Sequence, residues 1–142
     1  MEYKINCRVT TEQFIQLLRN STLAERRPVD DRDCMEKMLQ NSNLCVTAWD
    51  NGILTGIARS MTDFAYACYL SDLAVAIRYQ HQGIGKTLLH LTQQQLGPRC
   101  KLILIAAPDA NDYYPQLGFS NTPRCWVLER NTEITCEVLN ES

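Results

Sequence analysis

The stretch Gln80-His81-Gln82-Gly83-Ile84-Gly85-Lys86-Thr87 carries the clearest chemical signal in the sequence. It joins an apolar run to a helical pattern, and its glycines permit a tight turn with close backbone approach. Successive N–H groups of such a turn converge, and the following helix adds partial positive charge, so the loop reads as an anion site for a phosphate or pyrophosphate. Two phosphate motifs can be tested by counting. A Walker A loop needs glycine where Gln80 stands, and a dinucleotide fingerprint needs one where Leu88 stands. Neither pattern is met. Of the two histidines, His81 lies in the loop, beside phosphate or solvent, and His90 lies on the exposed side of the helix. The seven cysteines are odd in number and lack C-x-x-C spacing, so a metal site is not expected and free buried thiols are.

The elements that position this loop follow from periodicity. Tyr3–Val9 alternates as an opening strand. Thr10 and Gln13 have capping-box spacing ahead of Phe14, Leu17 and Leu18, which share one helical face. Residues 31–41 form a second helix with Met35, Met38 and Leu39 inward. Leu44–Trp49 and Ile53–Met61 flank Asn51-Gly52 as a hairpin. Tyr66–Val75 is a long strand inside the sheet, Gly85–Leu96 a helix stopped by Gly97-Pro98, and Leu102–Ala107 a buried strand. Ala110–Leu117 reads as a short helix ended by Gly118, Cys125–Leu128 as a last strand, and 131–142 as a tail or edge strand. The order β-α-α-β-β-β-α-β-α-β-β specifies an α/β fold, with a mixed sheet, partly antiparallel and partly parallel, and helices on both faces.

The loop matches Gln/Arg-x-x-Gly-x-Gly/Ala through Gln80, Gly83 and Gly85. Ser71-Asp72-Leu73-Ala74-Val75 precedes it, and Tyr113-Tyr114-Pro115-Gln116-Leu117-Gly118-Phe119 follows. With these motifs in this order, the chain resembles the GCN5-related N-acetyltransferase (GNAT) superfamily over roughly Tyr3 to Leu128, as a single domain spanning 1–142. The resemblance implies acetyl-CoA as cosubstrate. The backbone of Leu73, Ala74 and Val75 would hold pantetheine in the manner of an added strand. Gln80, His81, Gln82, Gly83, Ile84, Gly85 and Lys86 would surround the pyrophosphate, with Asn111 and Tyr114 also contacting the coenzyme.

The implied reaction is direct attack of a primary amine on the thioester, within a ternary complex. The Leu73 N–H would stabilise the oxyanion and Tyr114 would protonate the departing thiolate. Tyr69 stands where histone-acetylating relatives carry a glutamate, which leaves Asp72 as the candidate base, acting directly or through water. Pro115 departs from the family pattern and implies a helix that starts late or bends. The polar stretch Ser21–Asp33 would face the acceptor, a small polar molecule. The alternative is a non-catalytic acyl-CoA-binding or sensing module.

Composition narrows the partners. The chain has 142 residues and a net charge of -2, with 45% hydrophobic residues. No basic cluster suits nucleic acid, since Arg26-Arg27 is offset by Asp30, Asp31 and Asp33. No apolar run is long enough to span a membrane and no leader segment is evident, so a cytoplasmic location is expected. Exposed strand edges near the C-terminus permit a homodimer.

Overall fold

The computed structural model describes residues 1–135, in two compact units, Met1–Ala106 and the part beginning at Ala107. The first unit contains β1 (Glu2–Ile5), α1 (Thr11–Arg19), α2 (Arg32–Gln40), β2 (Leu44–Asp50), β3 (Ile53–Thr62), β4 (Ala67–Val75), α3 (Ile84–Gln94) and β5 (Lys101–Leu104). The strands lie in the order β1-β2-β3-β4-β5. All neighbours are antiparallel except β4 and β5, which are parallel and joined through α3. This is the mixed sheet expected from the sequence.

Local chemistry sets the element ends. The Thr10 side chain accepts from the Gln13 N–H, and the Gln13 side chain accepts from the Thr10 N–H, so the capping box is formed. Asp31 caps α2 through the Cys34 N–H. Asn51 and Gly52 both have positive φ, at 49° and 82°, which matches the twist of the β2–β3 hairpin.

The sheet is covered on both faces. Phe14, Leu17 and Leu18 of α1 and Met35 of α2 pack with Trp49, Leu54, Ile57 and Ala74. Each of the Phe, Leu, Ile and Met side chains contributes about 1.5–3 kcal/mol by leaving water. The neighbour of Ile57, Gly56, points to the other face, where Leu88 and Ile84 of α3 lie against it.

Two strand expectations are corrected. The strand expected to be buried over Leu102–Ala107 is shorter, Lys101–Leu104, and Ile103 and Ile105 are exposed. Its unbroken apolar run reflects an edge with one strand neighbour in this unit rather than a covered centre. Cys125–Leu128 forms no strand, and Trp126 is 90% exposed. Apolar, extended-type residues make a strand only where a ladder partner meets them. The expected helix Ala110–Leu117 is instead two short 3-10 turns, Pro108–Ala110 and Pro115–Leu117. Each begins on a proline, which lacks the N–H that a longer helix would need from it. Gly118 ends the second with φ 96°. Residues 131–135 contain no strand, and the remainder of the expected tail lies outside the described residues. Of the described cysteines, Cys68 is buried, Cys125 is exposed and the others are half-buried. Burial of the thiols as a class therefore does not hold.

Candidate active site

The ladder between β4 and β5 runs from Ala67–Lys101 to Leu70–Leu104 and stops, while β4 continues to Val75. The Ala76 N–H donates to the Thr55 carbonyl of β3 at 2.9 Å. Alternation along an antiparallel pair then turns the backbone groups of Ala74 and Asp72 toward β3. It turns those of Leu73 and Val75 to the opposite edge, where no strand of this unit faces them. Leu73 and Val75 thus stand on an open edge, as a pantetheine-binding role requires. Ala74 does not join them, because its backbone serves the β3 ladder and its side chain is buried.

Beyond Val75 the chain enters the glycine loop. Gln80 Nε2 donates to the Val75 carbonyl at 3.0 Å, so this side chain braces the strand end. His81 and Gly83 both have positive φ, 64° and 82°, and the chain passes from the half-buried Gln80 through the exposed His81, Gln82 and Gly83 into α3. The first N–H to close the helical ladder is that of Thr87, onto the Gly83 carbonyl at 3.1 Å. The N–H groups of Ile84, Gly85 and Lys86 precede it and have no carbonyl within the helix. The Ile84 side chain is buried, so only its main chain can meet a ligand. Three donors without a partner among the described residues, a left-handed glycine and a helix dipole are the features an anion cradle requires.

Asp72 departs from its expected role as base. Its side chain has no exposure, and each oxygen accepts from a different arginine. Arg27 Nε reaches Oδ1 and Arg59 Nε reaches Oδ2, both at 2.5 Å. The same arginines also hold Ser71: Arg27 Nη2 donates to its carbonyl at 2.8 Å, and Arg59 Nη2 to its Oγ at 3.0 Å. A carboxylate so enclosed has no oxygen free to accept a proton from a substrate. Sequence reasoning missed Arg59, although a lone arginine inside the apolar run Ile57–Met61 was a visible signal. Arg27 was noted only as one charge in a polar stretch.

The bulge at this point also sets which residues face outward. Ser60 pairs with Leu70 and Arg59 with Asp72, so Ser71 is an extra residue on β4. Tyr69, Met61 and Ile103 share the face of α1 and α2. There Tyr69 is 38% and Ile103 45% exposed, whereas Leu70, on the α3 face, is 3% exposed. The end of the β4–β5 ladder is therefore open on one face and closed on the other.

In the second unit, Tyr114 precedes Pro115 and packs edge-on against Tyr113 and Phe119, with ring centroids 5.3 and 5.4 Å away. Burial, and secondarily the neighbouring Tyr113, pushes its phenol above the ordinary range. Pro115 occupies the first position of its turn, where its missing N–H costs nothing. Asn111 ends the turn Pro108–Ala110 and is exposed.

Residues 16–130 match the family model of the acetyltransferase (GNAT) domain. An uncharacterised N-acetyltransferase from Pyropia yezoensis is 30% identical over 91 residues, 60% of this chain and 52% of that protein, so the match spans about half of the relative. An acetyltransferase candidate of unknown function from methicillin-resistant Staphylococcus aureus superposes with a TM-score of 0.71 at 25% identity, over 90% of this chain and 98% of the other. An aminoglycoside N-acetyltransferase solved with CoA superposes with a TM-score of 0.69 at 18% identity, over 92% and 94% of the two chains, a likeness of fold alone. With the family model covering most of its length, and with a mixed sheet whose fourth and fifth strands part ahead of a glycine loop, this chain belongs to the GNAT acetyltransferase family.

Proposed function

We propose that the protein transfers the acetyl group of acetyl-CoA to the primary amine of a small molecule, and that both units belong to one acetyltransferase domain. The observation that carries this reading is the open edge of Leu73 and Val75 leading into the free N–H groups of Ile84–Lys86. A strand edge followed along the chain by free helix N–H groups suits a ligand that is amide-bearing at one end and doubly phosphorylated at the other. Leu73 and Val75 would pair with the pantetheine amides, and the main chain from Gln82 to Lys86 would bind the pyrophosphate.

The amine approaches from the face of Tyr69 and Ile103, since the α3 face is closed at Leu70. Its nitrogen forms a bond to the thioester carbon, and the Leu73 N–H receives the developing oxyanion. The C–S bond then breaks and the sulfur takes a proton, which we assign to Tyr114. The ammonium proton leaves to water on the open face, because Asp72 is enclosed by Arg27 and Arg59. The aminoglycoside-acetylating neighbour supports a small-molecule acceptor. The free state of the described cysteines supports a reducing compartment.

The test is calorimetric titration with acetyl-CoA, with ATP as the control ligand and Gly83→Trp as the control variant. Gly83 has φ 82°, a conformation that a tryptophan adopts only with strain, so the substitution distorts the turn that presents the Ile84–Lys86 N–H groups. Saturable binding of acetyl-CoA alone, lost in Gly83→Trp, followed by amine-dependent thiol release, supports the reading. Binding without thiol release against a broad amine set would favour the sensing module. No binding would end both.

A further inference from the structure

We infer that Arg27 is a positioning residue that ends the β4–β5 ladder and so creates the opening for the coenzyme. This rests on the acetyltransferase reading above. The ladder stops at Leu70–Leu104, and the next β4 residue, Ser71, gives its carbonyl to Arg27 Nη2 at 2.8 Å. The guanidinium occupies an acceptor that an extended β5 would compete for. Its Nε is held at the same time by Asp72 Oδ1, and its Nη1 donates to the Arg26 carbonyl at 2.8 Å. The planar fork therefore bridges two consecutive β4 residues, a geometry that a lysine cannot reproduce.

Arg59 completes the clamp from the other side. It lies opposite Asp72 in register, is 4% exposed, and binds Asp72 Oδ2, the Ser71 Oγ and the Met38 carbonyl. Ser71, the extra residue of the bulge, is thus gripped at its carbonyl and its hydroxyl by different arginines. Arg27 follows the 3-10 turn Thr22–Arg26, so the clamp also ties the α1–α2 connection to β4. A bulge left free could relax and let β5 continue along β4. Here the ion pairs fix it, and the outer edge of Leu73 and Val75 meets no strand of this unit.

The test uses the full-length protein with Arg27→Met, which keeps the length and apolar stem, and with Arg27→Lys, which keeps the charge. The first readout is amide hydrogen exchange without ligand. Release of the clamp should slow exchange at Leu73 and Val75 as β5 extends. Unchanged or faster exchange at both amides in both variants would overturn the inference. The second readout compares acetyl-CoA with 3′-phospho-ADP, which keeps the pyrophosphate but lacks pantetheine. Both variants should bind acetyl-CoA about tenfold more weakly and 3′-phospho-ADP as before. Equal losses for both ligands, or wild-type acetyl-CoA affinity in Arg27→Lys, would also overturn it. If Arg27→Met fails to fold, the lysine variant decides. Failure of the wild-type protein to bind either ligand would instead remove the acetyltransferase reading, while the exchange experiment would still report on the clamp.

Discussion

Tyr79 Oη donates to Asp50 Oδ2 at 2.5 Å, tying the segment before the glycine loop to the end of β2. This bond, with smaller contributions from burial and from the carboxylate charge, holds the phenol above its ordinary range. A group with a raised pKa in the folded state contributes stability below its unfolded value, about 10, and loses it as pH rises through the folded value. Tyr79→Phe should therefore melt below wild type at about pH 8, and the gap should shrink as pH rises from about 10 through the raised folded value. A gap independent of pH in thermal melts would assign the loss to packing alone.

Gly56 sits beneath the first turns of α3. A Cβ there would lie 3.1 Å from Leu88 Cδ1 and 3.2 Å from Ile84 Cγ2. Gly56→Val forces this turn outward, at a cost of about 1–3 kcal/mol from overpacking. Because Ile84 begins the proposed anion cradle, the displacement should weaken acetyl-CoA binding as well as stability. Calorimetry beside a denaturation curve checks this. Lost stability with unchanged affinity would show that the cradle does not depend on this contact.

The first unit was largely legible because its signals are local. Capping at Thr10, the Asn51-Gly52 turn and the helical face Phe14–Leu18 each specify structure within a few residues. The glycine loop was legible for the same reason. The clamp was not, because Arg27 and Asp72 are separated by 45 positions and meet only once α1 and β4 are packed. Its place beside the Leu73-Ala74-Val75 motif made Asp72 a candidate base, and tertiary packing made it an enclosed counter-ion. The expected strand at Cys125–Leu128 failed for the complementary reason: β-propensity is a property of paired neighbours, and its residues have no ladder partner among the described residues.

Asp72→Ala separates these roles. Removing the carboxylate leaves two guanidinium groups without their counter-ion, one of them 4% exposed. Breaking a buried pair in this way costs about 3–5 kcal/mol. The expected outcome is a large drop in the denaturant midpoint, with Asp72→Asn also destabilised because a neutral amide is a poor substitute between two cations. If Asp72→Asn keeps wild-type stability but loses turnover, Asp72 acts in the chemistry after all.

Tyr114 gives the sharpest kinetic test. Its ring is fixed between Tyr113 and Phe119, and burial raises its phenol above the ordinary range. It therefore stays protonated at neutral pH, as the acid role proposed for it requires. Tyr114→Phe keeps the ring and its edge-on contacts and removes only the proton. Turnover should fall by about 10²-fold or more, the usual contribution of a positioned acid, while acetyl-CoA affinity changes little. A general acid works only while protonated, so wild-type turnover should hold through about pH 10 and decline as pH rises through the raised value. That decline should be absent from the residual activity of Tyr114→Phe. A variant with unchanged turnover, or with the same alkaline decline, would mean that the sulfur takes its proton from another group or from water.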